Sequence, residues 1–506
     1  MRTLRSVRGP AGMRRNVVAN AFGSGLSAAL SLLLIPIALH QLGLEAYGVI
    51  AFLASTQVLL SLFDLGLSPA LTWGIAGLGG SAKEDDAIKA VWSPYILVGL
   101  LLGAIFFAMA PFLATRWLQL TVLSVGEATT ALQLGAIAVA IRWPVSLLSA
   151  ALAGLQRFDS LNVAKGLHAV LSFVGAVVVL YVSPGIAPFA IWLVASALIE
   201  VLAYRIALQR MLPRLPLWPS GPIAAAGGIW RYARGVAVVA ALSLVLTQSD
   251  RLVIAKTAPT SDLGRYSVAY TLLFGLSLIP LVVSSAYYPR LAAHHKAGQL
   301  RDLVDRYRDA SQVLIYLYAL PFAVCAIFGS YVLDAFARSA SSETTTVVLA
   351  LLAVGFLMNT STALAYAAAL ATANTRIPVL VNAFNVVWYV PLVVVAALSF
   401  GIVGVAAAWA LLNASYLLTL VPAVHRRVLQ EPVLPWLTRS FLPFPLLACA
   451  LLLIVRVLIE TVGLARPVAW VGLVAAGVLY LGMGWLLLGP DLQRSTPFAR
   501  RILLRP

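Results

Sequence analysis

Long apolar segments separated by short polar ones recur along the whole chain. A helix needs roughly 20 apolar residues to cross the hydrocarbon core of a bilayer, which is about 30 Å thick. Windows of that size predict fourteen spans, at 17–39, 48–72, 94–114, 131–152, 166–183, 186–208, 233–255, 266–288, 311–336, 346–370, 377–399, 402–423, 440–460 and 466–488. Two pairs of spans are separated only by Ser183-Pro184-Gly185 and Ser399-Phe400-Gly401. The pattern predicts an all-α polytopic membrane protein with about 14 transmembrane helices.

The positive charges are distributed unevenly between the two sides of this predicted topology. With the N-terminus in the cytoplasm, 27 of the 35 Lys and Arg residues lie in cytoplasmic segments and 5 in external ones. The other three, Arg142, Arg251 and Arg456, lie within spans. Cytoplasmic loops of membrane proteins carry such an excess. We therefore expect a multi-pass protein of the cell (inner) membrane with both termini cytoplasmic, and the net charge of +17 does not indicate a nucleic-acid partner.

The composition excludes a soluble globule. Charged residues make up 10% of the chain and hydrophobic residues 61%, whereas a soluble domain usually carries about 25% charged residues. The Arg-rich start leads into an apolar segment without a small-residue cleavage site. This pattern favours an uncleaved first span, with a mitochondrial presequence as the alternative.

The sequence shows no pattern of residues that is typical of a metal site or a nucleotide site. Neither the two cysteines, Cys325 and Cys449, nor the five histidines form a set with metal-ligand spacing. The chain has no Gly-x-x-x-x-Gly-Lys-Ser/Thr loop for a nucleotide. No external segment exceeds roughly 16 residues, which is too short for a folded enzyme domain. We expect no metal, no cofactor and no catalytic residues.

The two halves of the chain resemble each other weakly. Leu44 and Tyr47 after the first span align with Leu263 and Tyr266 after the seventh, and six spans separate the copies. Both halves would then have the same orientation, as in transporters with parallel repeats. We expect a basic cytoplasmic tail (1–16), an N-lobe of six helices (17–208), a cytoplasmic linker (209–232), a six-helix C-lobe (233–423), and a C-terminal helix pair with a basic cytoplasmic tail (424–506).

One cytoplasmic segment has helical spacing of apolar residues. Leu300, Leu303, Val304 and Tyr307 fall on one side, with arginines interleaved. The spacing indicates either an amphipathic helix in the membrane interface or a simple extension of the ninth span.

Several short motifs together resemble one transporter family. The pattern Leu-Gly-x-x-x-Tyr-Gly begins at Leu42, Asp-Leu-Gly-Leu begins at Asp64, and Ser-Asp-Arg-Leu begins at Ser249. Their order and spacing resemble the polysaccharide flippases of the Wzx type (O-antigen flippases), which share a superfamily with MATE drug antiporters and lipid II flippases. The resemblance runs from about Arg15 to Arg427. The chain lacks the dense set of cavity Arg and Lys residues of lipid II flippases. This departure argues against lipid II as the cargo and leaves the sugar undetermined.

The resemblance implies a function. Such proteins move a polyprenyl-pyrophosphate-linked oligosaccharide from the cytoplasmic to the external leaflet for cell-surface polysaccharide synthesis, by alternating access of two lobes. It also implies contact with membrane lipid, a coupling ion (H⁺ or Na⁺), and polymerase or glycosyltransferase partners. A MATE-like cation antiporter and a membrane-embedded polymerase or ligase are the alternatives.

Charged residues within the spans are the first candidates for a substrate site, because a charge at the bilayer centre costs roughly 2.5–3.5 kcal/mol on insertion scales. Arginine binds phosphate oxygens in a bidentate manner. Arg142 and Arg251 would therefore meet the pyrophosphate in a central cleft, one from each lobe. Alternatively, Arg142 pairs with Asp64 and holds helices together. Asp64 itself could bind a coupling ion, balance cavity charge, or only support packing.

Further polar residues at depth complete the candidate set. Gln248 and Asp250 accompany Arg251 in the seventh span. Asp250 and Arg251 are about 100° apart on the helix, so each needs another partner. Gln57, Asn359 and Asn385 could bind substrate or bond between helices. Trp388 lies on the same helix face as Asn385 and could stack on a sugar ring.

Overall fold

A computed structural model describes residues 10–76, 83–209, 227–276, 287–288, 291–372, 374–463, 466–489 and 492–493. Within these ranges the chain is helical, and an isolated bridge joins Gln119 to Pro259. The α-helices are α1 Pro10–Leu60, α2 Leu67–Ala76, α3 Lys83–Phe112, α4 Val125–Arg142, α5 Pro144–Gly154, α6 Phe158–Val182, α7 Ile186–Gln209, α8 Gly227–Thr257, α9 Thr260–Leu276, α10 Leu300–Ile327, α11 Gly329–Phe336, α12 Glu343–Ala371, α13 Arg376–Val424, α14 Val433–Trp436, α15 Pro443–Val462 and α16 Arg466–Leu487. The predicted all-α class is confirmed.

Some predicted segments fall outside the described residues. They are residues 1–9 of the basic tail, 210–226 of the linker, 277–286 of the eighth span, and the C-terminal tail from 494 onward.

Ten described helical stretches are long and apolar enough to cross a membrane. One of them, Arg376–Leu429, has 54 residues, which corresponds to about 80 Å of helix and is far longer than one crossing needs. It is interrupted at Gly401, where φ is 58°, and α1 is interrupted in the same way at Gly43, where φ is 81°. Side chains other than glycine rarely adopt these angles. The interruptions separate two pairs of predicted spans, and the count of fourteen stays a prediction.

Two predicted spans contain an irregularity in their helical backbone. The span at 48–72 stops at Leu60, continues as the short 3₁₀ turn Ser61–Asp64 and resumes as α2 after Leu65 and Gly66, both with positive φ. The span at 131–152 has a break only in its hydrogen-bond ladder, between α4 and α5, because Pro144 has no N–H. Trp143 keeps helical dihedral angles, so α4 and α5 form one continuous stretch. Windows of hydropathy do not detect such breaks.

The segment with amphipathic spacing belongs to α10, which runs without interruption into the ninth predicted span. Leu303, Val304 and Tyr307 are buried, while Arg301 and Arg306 are exposed. The structure therefore supports the extension and not a separate interfacial helix.

By proximity the chain divides into two compact units, Met1–Val268 with Ala397–Ile402 (unit 1) and Ala269–Ala396 with Val403–Pro506 (unit 2). Helix α8 and the start of α9 thus group with unit 1, although the internal repeat assigns them to the C-lobe. The compact units are defined by spatial proximity, whereas the lobes are defined by the repeat in the sequence. The bounds of the lobes therefore stay a prediction.

Close contact between α6 and α7 in unit 1 depends on a small residue. A Cβ atom at Gly175 would lie 2.0 Å from the Trp192 ring, and the ring is held by a bond of 3.0 Å from its Nε1 to the Ser172 carbonyl. We expect Gly175→Ala to destabilise the protein by about 1–3 kcal/mol, since the helices must separate. Gly166→Ala on the same helix is the matched control, because no atom lies within 4 Å of its Cβ position. Thermal unfolding of both purified variants measures the difference, and equal melting temperatures would contradict this packing.

Candidate functional site

Arg142 is the last residue of α4, directly before the break at Trp143. Its Nε donates to the Glu200 carboxylate of α7 at 2.5 Å, and the two side chains are 32% and 14% exposed. The ion-pair alternative predicted Asp64 as the partner, and that part was wrong. Glu200 lies close to the predicted inner end of its span, but it is not an unpaired charge. Instead it neutralises an arginine among apolar helices.

Glu200 contacts a third helix through His168 of α6. His168 Nδ1 lies 3.5 Å from Glu200 Oε1, and its Nε2 lies 3.1 Å from the Ser196 hydroxyl. Ser196 in turn donates to the Ser172 hydroxyl at 2.9 Å. We call Arg142, Glu200, His168, Ser196 and Ser172 the Arg142 cluster. Only Arg142 was a candidate from sequence. A Glu and a His inside apolar spans were the available signal for the others.

The cluster leaves part of the Arg142 guanidinium available. Among the described residues, its hydrogen bond to Glu200 uses Nε, and about a third of the side chain is exposed. The two Nη groups are the parallel donors that fit a phosphate group. A carboxylate that holds Nε also fixes the orientation of the fork. The arrangement can therefore present a directed cation to an anionic ligand.

Asp64 caps the broken second span. It accepts hydrogen bonds from Ser68 N at 3.2 Å, Ser68 Oγ at 2.6 Å and Tyr95 Oη at 2.8 Å. A side-chain acceptor at a helix start satisfies backbone N–H groups that have no helical partner. Tyr95 stacks on Trp143 with ring centroids 5.2 Å apart. These contacts connect the two helix breaks, and Gln57 lies half-buried one turn before the first of them.

Asp250 and Arg251 have separate side-chain partners, as their angular separation requires. Asp250 is fully buried and accepts from the Tyr266 hydroxyl at 2.7 Å. Arg251 Nη1 contacts Gln248 Oε1 at 3.3 Å on the same helix. These contacts do not join Arg251 to Arg142. Asp250 is thus placed to hold α8 against α9, while Arg251 and Gln248 remain candidates for contact with substrate.

A second polar group holds one end of unit 1 together. Glu45 is buried and accepts from Thr121 N at 2.5 Å and Val122 N at 2.6 Å. The Gln119 carbonyl accepts from Thr260 N at 3.0 Å. The segment between α3 and α4 therefore bonds both to the α1 turn and to the start of α9. Sequence analysis did not predict these contacts.

The asparagines of unit 2 bond between and along their helices. Asn359 Nδ2 donates to Asn413 Oδ1 at 2.7 Å. Asn385 Oδ1 accepts from Trp388 Nε1 at 3.0 Å and from Ser415 Oγ at 2.8 Å. Asn385 is fully buried, whereas Trp388 is partly exposed. The shared face of Asn385 and Trp388 is confirmed, and the bonds fit the role of amides as links between membrane helices.

Comparison with known proteins gives a consistent family. Residues 42–337 match the family model described as "Polysaccharide biosynthesis protein". A relative from Shigella flexneri, named "Putative O-antigen transporter", is 20% identical over 404 residues, which is 78% of this chain and 94% of the relative.

Solved transporters share the fold. The lipid II flippase MurJ in an inward closed conformation gives a TM-score of 0.69 at 13% identity and covers 96% of this chain and 99% of its own. An inward-facing MATE family transporter of the MOP superfamily gives 0.63 at 15% identity, with 81% and 94% covered. An outward-facing MATE structure gives 0.58 at 14% identity, with 82% and 96% covered.

Proposed function

The chain belongs to the polysaccharide biosynthesis protein family, and on that premise we propose that it is a flippase for a polyprenyl-pyrophosphate-linked oligosaccharide. The flippase moves this lipid from the cytoplasmic to the external leaflet, where it enters cell-surface polysaccharide synthesis. The Shigella flexneri relative, named "Putative O-antigen transporter", supports a cargo of this class.

The observation that carries the proposal is the geometry of Arg142. A partly exposed guanidinium is fixed by Glu200 among apolar helices, with its Nη donors available. The head group of the cargo is a pyrophosphate, which carries negative charge and offers pairs of oxygens to a planar donor. In a low-dielectric environment such a contact is stronger than in water. Arg142 then binds the part of the cargo that every sugar unit shares. Arg251 and Gln248, which lie in the same compact unit as Arg142, are candidates for contact with the remainder.

Transport follows from alternating access of the predicted lobes. The fold has been solved in both inward-facing and outward-facing forms in MATE transporters, which supports two such states here. The charge bias supports an inner-membrane topology with both termini in the cytoplasm. Polymerase or glycosyltransferase partners would supply and consume the lipid-linked unit, and H⁺ or Na⁺ would couple transport to an ion gradient.

Deletion of the gene in its host tests the function against both alternatives. For a flippase, surface polysaccharide is lost and the completed lipid-linked oligosaccharide accumulates in the cytoplasmic leaflet. A missing polymerase or ligase leaves single units in the external leaflet instead. A missing drug antiporter leaves the polysaccharide intact and changes sensitivity to cationic drugs. Accumulation on the external side, or unchanged polysaccharide, would overturn the proposal.

A further inference from the structure

The carboxylate of Glu200 faces charged or titratable groups from two other helices. Arg142 Nε of α4 donates to Glu200 Oε2, and His168 Nδ1 of α6 lies near Glu200 Oε1. Tyr204 is one turn further along α7. Helix α5, which also packs on α7, carries no titratable side chain. On α6, Lys165 lies one turn before His168. Glu200 therefore has one strong counter-charge, Arg142, and one neighbour that can carry a proton, His168.

We propose that Glu200 and His168 form a proton-binding site that takes up one proton when an anionic head group binds the Nη groups of Arg142 and so competes with Glu200 for its charge. This inference rests on the proposed function, because it takes the pyrophosphate as the competing anion. It adds a ligand, the proton, and two residues that the sequence did not identify as functional.

Charge balance in an apolar bundle is the reason for the exchange. Without cargo, Arg142 and Glu200 neutralise each other, so the empty carrier buries no net charge at this point. When the pyrophosphate binds the Nη groups of Arg142, Glu200 shares its counter-charge with a second anion. Two negative groups close together in a low dielectric favour the protonated form of the carboxyl. A proton from hydronium or a buffer acid then forms the O–H bond at Glu200 Oε1, and the bond between that proton and its donor is the one that breaks.

His168 is placed to exchange that proton with Glu200. One ring nitrogen lies 3.5 Å from Glu200 Oε1 and the other 3.1 Å from the Ser196 hydroxyl, which continues to Ser172. An imidazole can accept a proton on one nitrogen and release one from the other. The ring returns to its starting charge after each transfer, so the net uptake is one proton from solvent for each cargo bound.

Isothermal titration calorimetry in two buffers of different ionisation enthalpy counts the protons. The probe is geranylgeranyl pyrophosphate added to the purified full-length protein at neutral pH. The wild type is expected to take up one proton more than Glu200→Gln, and the ionisation of the probe itself contributes equally to both. The affinity of the wild type for the probe should fall as the pH rises, by up to about tenfold per pH unit more than the affinity of Glu200→Gln. One linked proton gives that slope. Glu200→Gln should bind at least as tightly as the wild type, because the competing carboxylate is gone.

Two controls keep the outcomes separate. Glu127→Gln changes an exposed glutamate of α4 and should keep the extra proton. Glu200→Asp, a second variant in case the first does not fold, should also keep it and bind more tightly, because its shorter side chain competes less well for Arg142. Equal proton counts in wild type and Glu200→Gln would overturn this inference but leave the pyrophosphate site intact. No binding of the probe to the wild type would overturn the pyrophosphate site, and the inference with it.

Discussion

Arg142→Glu is expected to abolish polysaccharide export in cells. The substitution places a carboxylate against Glu200, whose present partner is the Arg142 guanidinium at 2.5 Å. It also sets a negative charge against the anionic head group of the cargo. Loss of one member of a buried charge pair costs about 2–5 kcal/mol of binding free energy. Export should therefore fall by at least about thirtyfold on the same scale. Surface polysaccharide per unit of membrane-inserted protein is the measurement.

The conservative variant and a matched control define the reason for the loss. Arg142→Lys keeps the charge but cannot make two parallel hydrogen bonds, so export should fall about tenfold while protein level is maintained. Arg338→Glu makes the same change of charge at an exposed position and should export normally. Normal export by well-expressed Arg142→Glu would exclude a role of this arginine in cargo binding.

Exchange of the two charges separates support of the fold from contact with cargo. Glu200→Arg alone places two arginines together, and an uncompensated buried charge costs about 3–5 kcal/mol, so little protein should reach the membrane. Combining it with Arg142→Glu restores an ion pair and should restore protein level. Export should stay at background, because the guanidinium then starts from α7 and no longer presents its Nη groups in the same place.

The double variant thus has two independent readouts. Membrane protein by quantitative blot reports the ion pair, and external polysaccharide reports cargo binding. Recovery of both would mean that Arg142 only holds α4 against α7. Recovery of neither would mean that the two charges cannot be exchanged. Export by Arg142→Lys would then test whether the arginine binds cargo.

Much of the fold could be predicted from the sequence. Apolar segments of spanning length determine the helical class, and a glycine such as Gly401 marks a turn that hydropathy alone barely shows. The short break at Ser183-Pro184-Gly185 likewise separates α6 from α7. These features are local, since the residues that cause them are the residues that adopt them.

The site could be predicted only in part, because its contacts are tertiary. Arg142 was recognisable as a charge at depth, but its partner lies 58 positions away, and several carboxylates were compatible with it. The sequence suggested Asp64 as that partner. In the structure Asp64 instead accepts hydrogen bonds from Ser68, which follows the helix break, and from Tyr95. His168 could not be predicted as a site residue, because a single histidine in an apolar span forms no spacing pattern with other polar residues.

Flipping by the purified protein in liposomes tests the central claim most directly. The vesicles carry one oligosaccharide attached to a polyprenyl carrier through either a pyrophosphate or a monophosphate, and an impermeant glycosidase reports which molecules change leaflet. We expect the pyrophosphate-linked form to cross at least about tenfold faster than the monophosphate form, a difference of ~1.4 kcal/mol, and Arg142→Glu to remove the advantage. Transfer of the pyrophosphate-linked form at the rate of protein-free vesicles would contradict the account.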